Sequence, residues 1–392
     1  MRILHYLDLV RATIGGPARA VVDLCETLAR RGHEVTLVCD DDEGVPASWR
    51  TGDPAKPRSV LTGLRLDAKG RSFGPMRPWR EMRDLVARAD VVHIHGVWEP
   101  TKPRVASICR AMGKPYVVSL RGQLDDWCMA QGALKKRVMM GLAARRMLEG
   151  AAFVHCTAQA ELDQSGKHFP RGRGIVISNL LDLRPFETLP GPGAARAKFP
   201  VFESGRPNLL FLSRVHVKKG LDVLLRAGAL LRSRGVDANI LIAGSGDEAY
   251  VESVKRLVTE LGLSDRAHFL GLVVNEEKLS LYRACDLFVL PTSQENFGFV
   301  FVESLACGTP VVTTRGVDIW PELQSSGGAV IAEATPEAIA GAVGSLLADR
   351  DALPAMGAKG REWVFKDLAP EKVIREFEAM YERAKAKAPQ DS

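Results

Sequence analysis

The chain spells one construction twice. Short apolar runs at Arg2 to Tyr6, Val35 to Cys39, Val91 to His95, Tyr116 to Leu120 and Phe153 to Thr157 have strand length, and longer stretches of helical periodicity separate them. The series then restarts at Asn208 to Ser213 and continues through Ala238 to Ala243, His268 to Leu270, Leu287 to Leu290 and Val311 to Thr314. Alternation of this kind predicts α/β architecture with open, mostly parallel sheets. A chain of 392 residues also exceeds what one ordinary core holds. Two doubly wound domains are therefore expected: 1–185 and 207–368, with 186–206 as a Pro/Gly-rich linker and 369–392 as a closing helix. The stretch from Gly44 to Pro78 reads as an irregular insert of the first domain. Open sheets bind ligands beyond the carboxyl ends of their strands, so the reading places the active site in a cleft between facing domains.

Composition bounds the function. The chain is 46% hydrophobic and 26% charged, in the range of globular proteins. No apolar run reaches bilayer length and the sequence opens on a strand, which predicts a cytoplasmic protein. Seven cysteines without a C-x-x-C pair argue against a disulfide framework or a zinc site. Net charge is +6, yet residues 1–185 carry 29 Lys/Arg against 20 Asp/Glu, so the basic excess lies in the first half. Such a surface suits a phosphorylated substrate or an anionic membrane; no nucleic-acid motif accompanies it. From Leu134 to Leu148, Lys135, Lys136, Arg137, Arg145 and Arg146 alternate with apolar residues. That pattern fits a basic amphipathic helix at the inner face of a membrane, or a core-packing helix with a solvated face.

Chemistry concentrates in the loops after strands. Arg214 and Lys219, with Lys218 beside the latter, lie between a strand and a helix opening near Leu221. Cations there oppose the helix dipole and are suited to negative charge growing on a departing diphosphate. Glu295 and Glu303 bracket Asn296, Phe297 and Gly298 at a predicted helix start, where free amides attract phosphate and the carboxylates suit vicinal hydroxyls. Gly15 and Gly16 precede the first helix and allow close backbone approach. Gly244 begins Gly-Ser-Gly-Asp, an incomplete dinucleotide fingerprint. His95 ends a strand on the same face as His93, and Arg121 follows the next strand. The acidic runs Asp40 to Asp42 and Asp125–Asp126 lack the context of a metal site.

Taken with its surroundings, the Glu295–Glu303 run resembles the E-x7-E signature of the retaining glycosyltransferases of family four, which have the GT-B fold. The neighbouring strand Asp286 to Pro291 and the segment Ala306 to Val312 stand in that family's order. The resemblance implies an N-terminal acceptor domain and a C-terminal nucleotide-sugar domain, with the last helix crossing back to the first. Glu303 would hold the ribose and Glu295 the transferred sugar. Asn296, Phe297 and Gly298 would donate to sugar or phosphate oxygens. Gly244, Leu270 and Gly271 would line the nucleotide pocket, and Gly15 and Gly16 would face donor phosphate or acceptor; His95, by its place at a strand end rather than by the resemblance, is read either as lining the site or as packing there.

Many family members carry a histidine where this chain has Arg121, a departure resembling enzymes of cell-surface polysaccharide synthesis. Ser178 to Asp182 likewise lacks the usual turn glycine. The implied reaction is metal-independent, retaining transfer from a UDP- or GDP-linked sugar to a carbohydrate or lipid-linked hydroxyl. A non-catalytic nucleotide-sugar-binding protein and a nucleotide-sugar epimerase or hydrolase are the alternative readings.

Overall fold

The computed structural model describes residues 1–10, 16–41, 43–50, 53, 56–61 and 76–386. The chain divides into two compact units, Met1–Leu181 with Pro370–Ser392 and Asp182–Ala369.

Unit 1 is built on seven strands: β1 (Arg2–Tyr6), β2 (Glu34–Cys39), β3 (Arg58–Leu61), β4 (Val91–His95), β5 (Tyr116–Ser119), β6 (Phe153–Cys156) and β7 (Gly174–Val176). They run parallel in the order β3-β2-β1-β4-β5-β6-β7. Strand alternation sorts side chains to two faces. Leu4, Val92, Val118 and Val154 pack in one buried cluster with Met82, Val105 and Met147 from helices. Ile3, Val91, Val117 and Phe153 pack in the other with Leu24 and Leu28 of helix Gly16–Arg30 and with Ile374 and Phe377 of helix Pro370–Ala386. The last helix of the chain is thus part of unit 1. β3 falls in the stretch read as an irregular insert; 62–75 lies outside the described residues.

Unit 2 has six parallel strands: β8 (Asn208–Leu212), β9 (Asn239–Ala243), β10 (Ala267–Gly271), β11 (Leu287–Leu290), β12 (Val311–Thr314) and β13 (Ala329–Ala332). Their order is β10-β9-β8-β11-β12-β13. β8, β9, β11 and β12 are buried at every position, as strands covered on both faces must be.

The Pro/Gly-rich stretch read as a linker is structured and packs on unit 2. It carries helices Arg184–Glu187 and Gly193–Lys198 and a 3-10 turn Pro200–Ser204. Ser280 Oγ accepts from Ala195 N at 3.0 Å and donates to Gly191 O at 2.8 Å. Prolines at the first positions of two of these turns start them rather than break them.

Candidate active site

In unit 2 the strand order reverses between β8 and β11, and the loops after these two strands meet. Beyond β8 the chain passes Arg214, turns through a 3-10 segment Val217–Lys219 and enters helix Leu221–Ser233. Gly220 makes that entry at φ 67°, and a Cβ there would stand 2.1 Å from Pro291 O in the loop after β11. Ser293 N donates to Lys218 O at 2.8 Å across the same junction.

Lys219 is buried and its Nζ is paired with the carboxylate of Glu295. Lys218 is half-buried and donates to Gln294 Oε1 at 3.2 Å, so of the two lysines it is Lys219 that faces Glu295. Arg214 is exposed and makes no ion pair among the described residues. Burial, reinforced by the positive charge of Arg214, Lys218 and Lys219, lowers the pKa of His216 in this loop. The loop therefore carries a concentrated positive field, held together by one carboxylate.

Glu295 is fixed through its backbone, donating to Gly316 O at 2.7 Å and accepting from Asp318 N at 3.0 Å. Asn296 Nδ2 donates to Asp318 Oδ2 at 2.9 Å, and Asp318 is buried. Gly298, at φ 65°, caps helix Phe299–Ala306; a Cβ there would lie 2.5 Å from the Phe301 ring and 2.9 Å from Glu295 Cγ. Phe297 and Phe299 meet edge to face at 5.2 Å, both buried beneath the turn. Glu303, on that helix, is 2% exposed and accepts from Lys278 Nζ at 2.9 Å.

On the other side of β8, Gly244 has φ 137° and donates to Gly271 O at 2.7 Å; a Cβ would fall 1.9 Å from Ser213 O. Gly271, at φ 71°, is exposed beside half-buried Leu270 where β10 shifts register. The sequence-predicted residues of unit 2 thus lie at one edge of one sheet: in the loops after β8, β9 and β11, at the end of β10 and, for Glu303, on the helix that follows β11.

Unit 1 gathers a different set. Gly15 lies outside the described residues, and Gly16 is the exposed first residue of its helix. His95 has no exposed surface. Arg121, in left-handed backbone at φ 59°, is buried; its guanidinium donates to Asn179 Oδ1 and, at 3.3 Å, to His95 Nδ1. Burial lowers the Arg121 pKa to about 10, still cationic at neutral pH.

Register places His5 beside His93 and Ser119 between His95 and His155, all on the sheet face under the last helix. Burial first, then neighbouring positive groups, lowers all four histidines, His5 and His155 to about 3, so the rings are neutral.

Neutral rings and fixed donors settle every proton. Tyr381 Oη donates to His93 Nδ1 at 2.8 Å, His93 Nε2 to Ser119 Oγ at 2.7 Å, Ser119 Oγ to His155 Nδ1 at 2.6 Å, and His155 Nε2 to Ile177 O at 2.8 Å. Arg121 can only donate, so His95 Nε2 gives its proton to His5 Nδ1 at 3.0 Å. His5 Nε2 is left without a partner among the described residues. Ring nitrogens of His5, His93 and His95 lie within 4.8 Å of one another, which gives them metal-ligand spacing. Their lone pairs are committed to this network and the neighbouring group is the Arg121 cation, which makes it a polar core rather than an ion cage.

Two further residues belong with this edge. Glu161 is fully buried and accepts from Gly122 N and Thr157 N, both at 2.6 Å, and from Thr157 Oγ1 at 3.0 Å, clamping the turn that carries Arg121. Lys102, 1% exposed, pairs with Asp8 at 3.1 Å and with Glu99 beside Gly96. No local pattern announces either, because each acts on loops far away in sequence.

Solved structures share this arrangement of strands. The crystal structure of Anabaena Alr3699/HepE in complex with UDP matches with a TM-score of 0.77 at 18% identity, over 97% of this chain and 100% of that one. The fold is therefore that of the GT-B glycosyltransferases. Residues 195–363 match the model of the glycosyl transferases group 1, and residues 15–179 that of the glycosyl transferase 4-like domain.

A GDP-mannose-dependent alpha-(1-6)-phosphatidylinositol monomannoside mannosyltransferase of Mycolicibacterium smegmatis is 35% identical over 85% of this chain and 86% of its own length. A D-inositol 3-phosphate glycosyltransferase of Kineococcus radiotolerans is 28% identical over 88% and 85%. The chain belongs to the glycosyl transferases group 1 and is a glycosyltransferase.

Proposed function

We propose that the chain transfers a sugar, with retention of anomeric configuration and without a metal, from a nucleoside diphosphate sugar to a hydroxyl of a lipid-linked or phosphorylated acceptor. The observation that carries this reading is the loop pair after β8 and β11. A buried Lys219 pairs with Glu295, and an exposed Arg214 stands in the same loop after β8, at the point where the strand order reverses. A leaving diphosphate gains negative charge as the anomeric C–O bond breaks, and cations that meet that charge lower the barrier. The acceptor oxygen bonds to the anomeric carbon from the face the diphosphate leaves, and its proton passes to a departing phosphate oxygen. Glu295, steadied by Lys219, is placed to bind sugar hydroxyls or to face positive charge at that carbon. Glu303 stands one helical segment further on to take ribose hydroxyls.

Both relatives above are named for inositol-bearing acceptors, and one for a GDP-linked donor, so GDP-mannose with a phosphoinositol-type acceptor is the first combination to try. Membrane-side acceptors also suit unit 1. The helical run Ala133–Met139, Met140–Ala144 (a π segment) and Arg145–Glu149 exposes Leu134, Val138 and Leu142 at 78%, 53% and 80%, flanked by exposed Lys135, Arg137 and Arg145. Apolar side chains ringed by cations are what an anionic inner leaflet binds. No helix among the described residues is long and apolar enough to cross a membrane, so the contact is peripheral.

The test is transfer from GDP-mannose and UDP-glucose, read by mass spectrometry with the product's anomeric configuration by NMR. Arg214→Ala and Lys219→Ala should each lower kcat/KM by about 10²–10³-fold. Wild-type rates in both variants, or inversion, would overturn the mechanism; absence of binding by any nucleoside diphosphate would remove the donor site.

A further inference from the structure

Unit 1 carries a second, unrelated recess at the opposite edge of its sheet. It is roughly 370 Å³ and opens where β5, β6 and β7 begin, lined by Lys114 and Tyr116, by Ala151 and Ala152, and by Arg173. Arg110 and Arg171 complete its basic wall, and Glu149 is its one acid. Strands of this length hold the two edges more than ten ångströms apart. The recess is therefore separate from the loops that carry Arg121 and Asn179.

Charge is unbalanced there. Glu149 is spent on Arg171, whose Nη2 and Nε donate to it at 2.8 and 3.1 Å. Arg110, Lys114 and Arg173 have no carboxylate partner among the described residues. Two of them are instead held by neutral acceptors: Arg110 donates to Tyr116 Oη at 3.0 Å, and Lys114 to Ala89 O at 3.0 Å. Tyr116 in turn donates to Met147 O at 2.8 Å. Gly150 keeps the floor open, since a Cβ would stand 2.8 Å from that hydroxyl and 3.3 Å from Arg110 Cδ. Three cations around one concavity repel one another unless an anion joins them, and guanidinium groups match phosphate oxygens in a bidentate fashion.

We propose that this recess binds a phosphate group, apart from donor and acceptor. Two sources share that chemistry. One is a small phosphorylated metabolite. The other is the headgroup of an anionic phospholipid, because the recess adjoins Glu149 and Gly150 at the end of the helix that exposes Leu134, Val138 and Leu142.

The test uses the full chain with Arg214→Ala and Lys219→Ala as parent, which removes the two cations proposed to meet the donor diphosphate in unit 2. Melting temperature is followed against inorganic pyrophosphate, and co-sedimentation against phosphatidylcholine vesicles with and without phosphatidylglycerol. Adding Lys114→Gln and Arg173→Gln should weaken whichever binding the parent shows by at least about tenfold. Loss of pyrophosphate stabilisation identifies a soluble phosphate; loss confined to phosphatidylglycerol vesicles identifies the lipid. Arg173→Glu alone, a surface change, replaces the pair if unliganded melting falls. Unchanged binding in these variants, or a parent that binds neither probe, overturns the proposal.

Discussion

Glu161 carries three donors on one buried carboxylate, and two of them are backbone amides. The carboxylate is an acceptor at every lone pair; a glutamine is not. Glu161→Gln should turn an amide N–H toward one of those donors and cost about 1–3 kcal/mol. Because the clamp holds the left-handed turn at Arg121, kcat should fall as well, with donor affinity measured by nucleotide titration unchanged. Equal loss of donor affinity would mean the clamp is only structural. Arg214, Lys219, Glu295 and Glu303 were legible in the sequence because strand, loop and helix follow one another there within a few residues. Glu161 was not, since its partner Gly122 is 39 residues away and no periodicity links them. His95 illustrates the middle case: alternation put it on one face with His93, and only the register of four strands shows that face to be closed over by the last helix.

At the level of elements, both sheets were readable because buried parallel strands spell themselves as apolar runs. β4, β11 and β12 coincide with the runs Val91 to His95, Leu287 to Leu290 and Val311 to Thr314. The edge strands β3, β7 and β13 were not: β3 and β7 are short and begin on Arg58 and Gly174, and β13, though apolar from Ala329 to Ala332, is short and mostly half-buried. Loop geometry was legible only in outline. Gly244 reads as one glycine of a weak fingerprint, yet its φ of 137° and the nearness of Ser213 O leave no room for a side chain. Gly244→Ala should therefore pull the loops after β8 and β9 apart. The expected result is a chain that folds, seen by far-UV circular dichroism, with a lower melting temperature and weakened nucleotide binding. Melting and binding at wild-type values would show that the loop relaxes around the methyl group.

Across the molecule, the two units differ in what acid does to them. His5, His93, His95 and His155 are all in unit 1 and all neutral in the folded state, with His5 and His155 lowered to about 3 from 6.5. Once unfolded, each takes up a proton as pH falls through 6.5, which the folded state refuses until well below that, for His5 and His155 until about 3. Their contribution is therefore complete above pH 6.5 and lost as pH drops through that window, at up to about 1.4 kcal/mol per pH unit for each ring. Unit 2 holds only His216 and His268, neither buried. Calorimetry at pH 7 and pH 5 should show the unit 1 transition moving to lower temperature while that of unit 2 moves less. A common shift would contradict the assignment of neutral rings.

Tyr381 closes the histidine line from a helix that the chain makes after all of unit 2. On the ribosome this sets an order of events. The segment Asp182–Ala369 is contiguous and can fold as soon as it emerges. The first 181 residues cannot finish, because the face bearing His93 and His155 stays open to water until Val373, Ile374, Phe377 and Tyr381 have been translated. Of the two units, the one whose synthesis starts earlier matures later, and truncation within helix Pro370–Ala386 leaves its core uncovered.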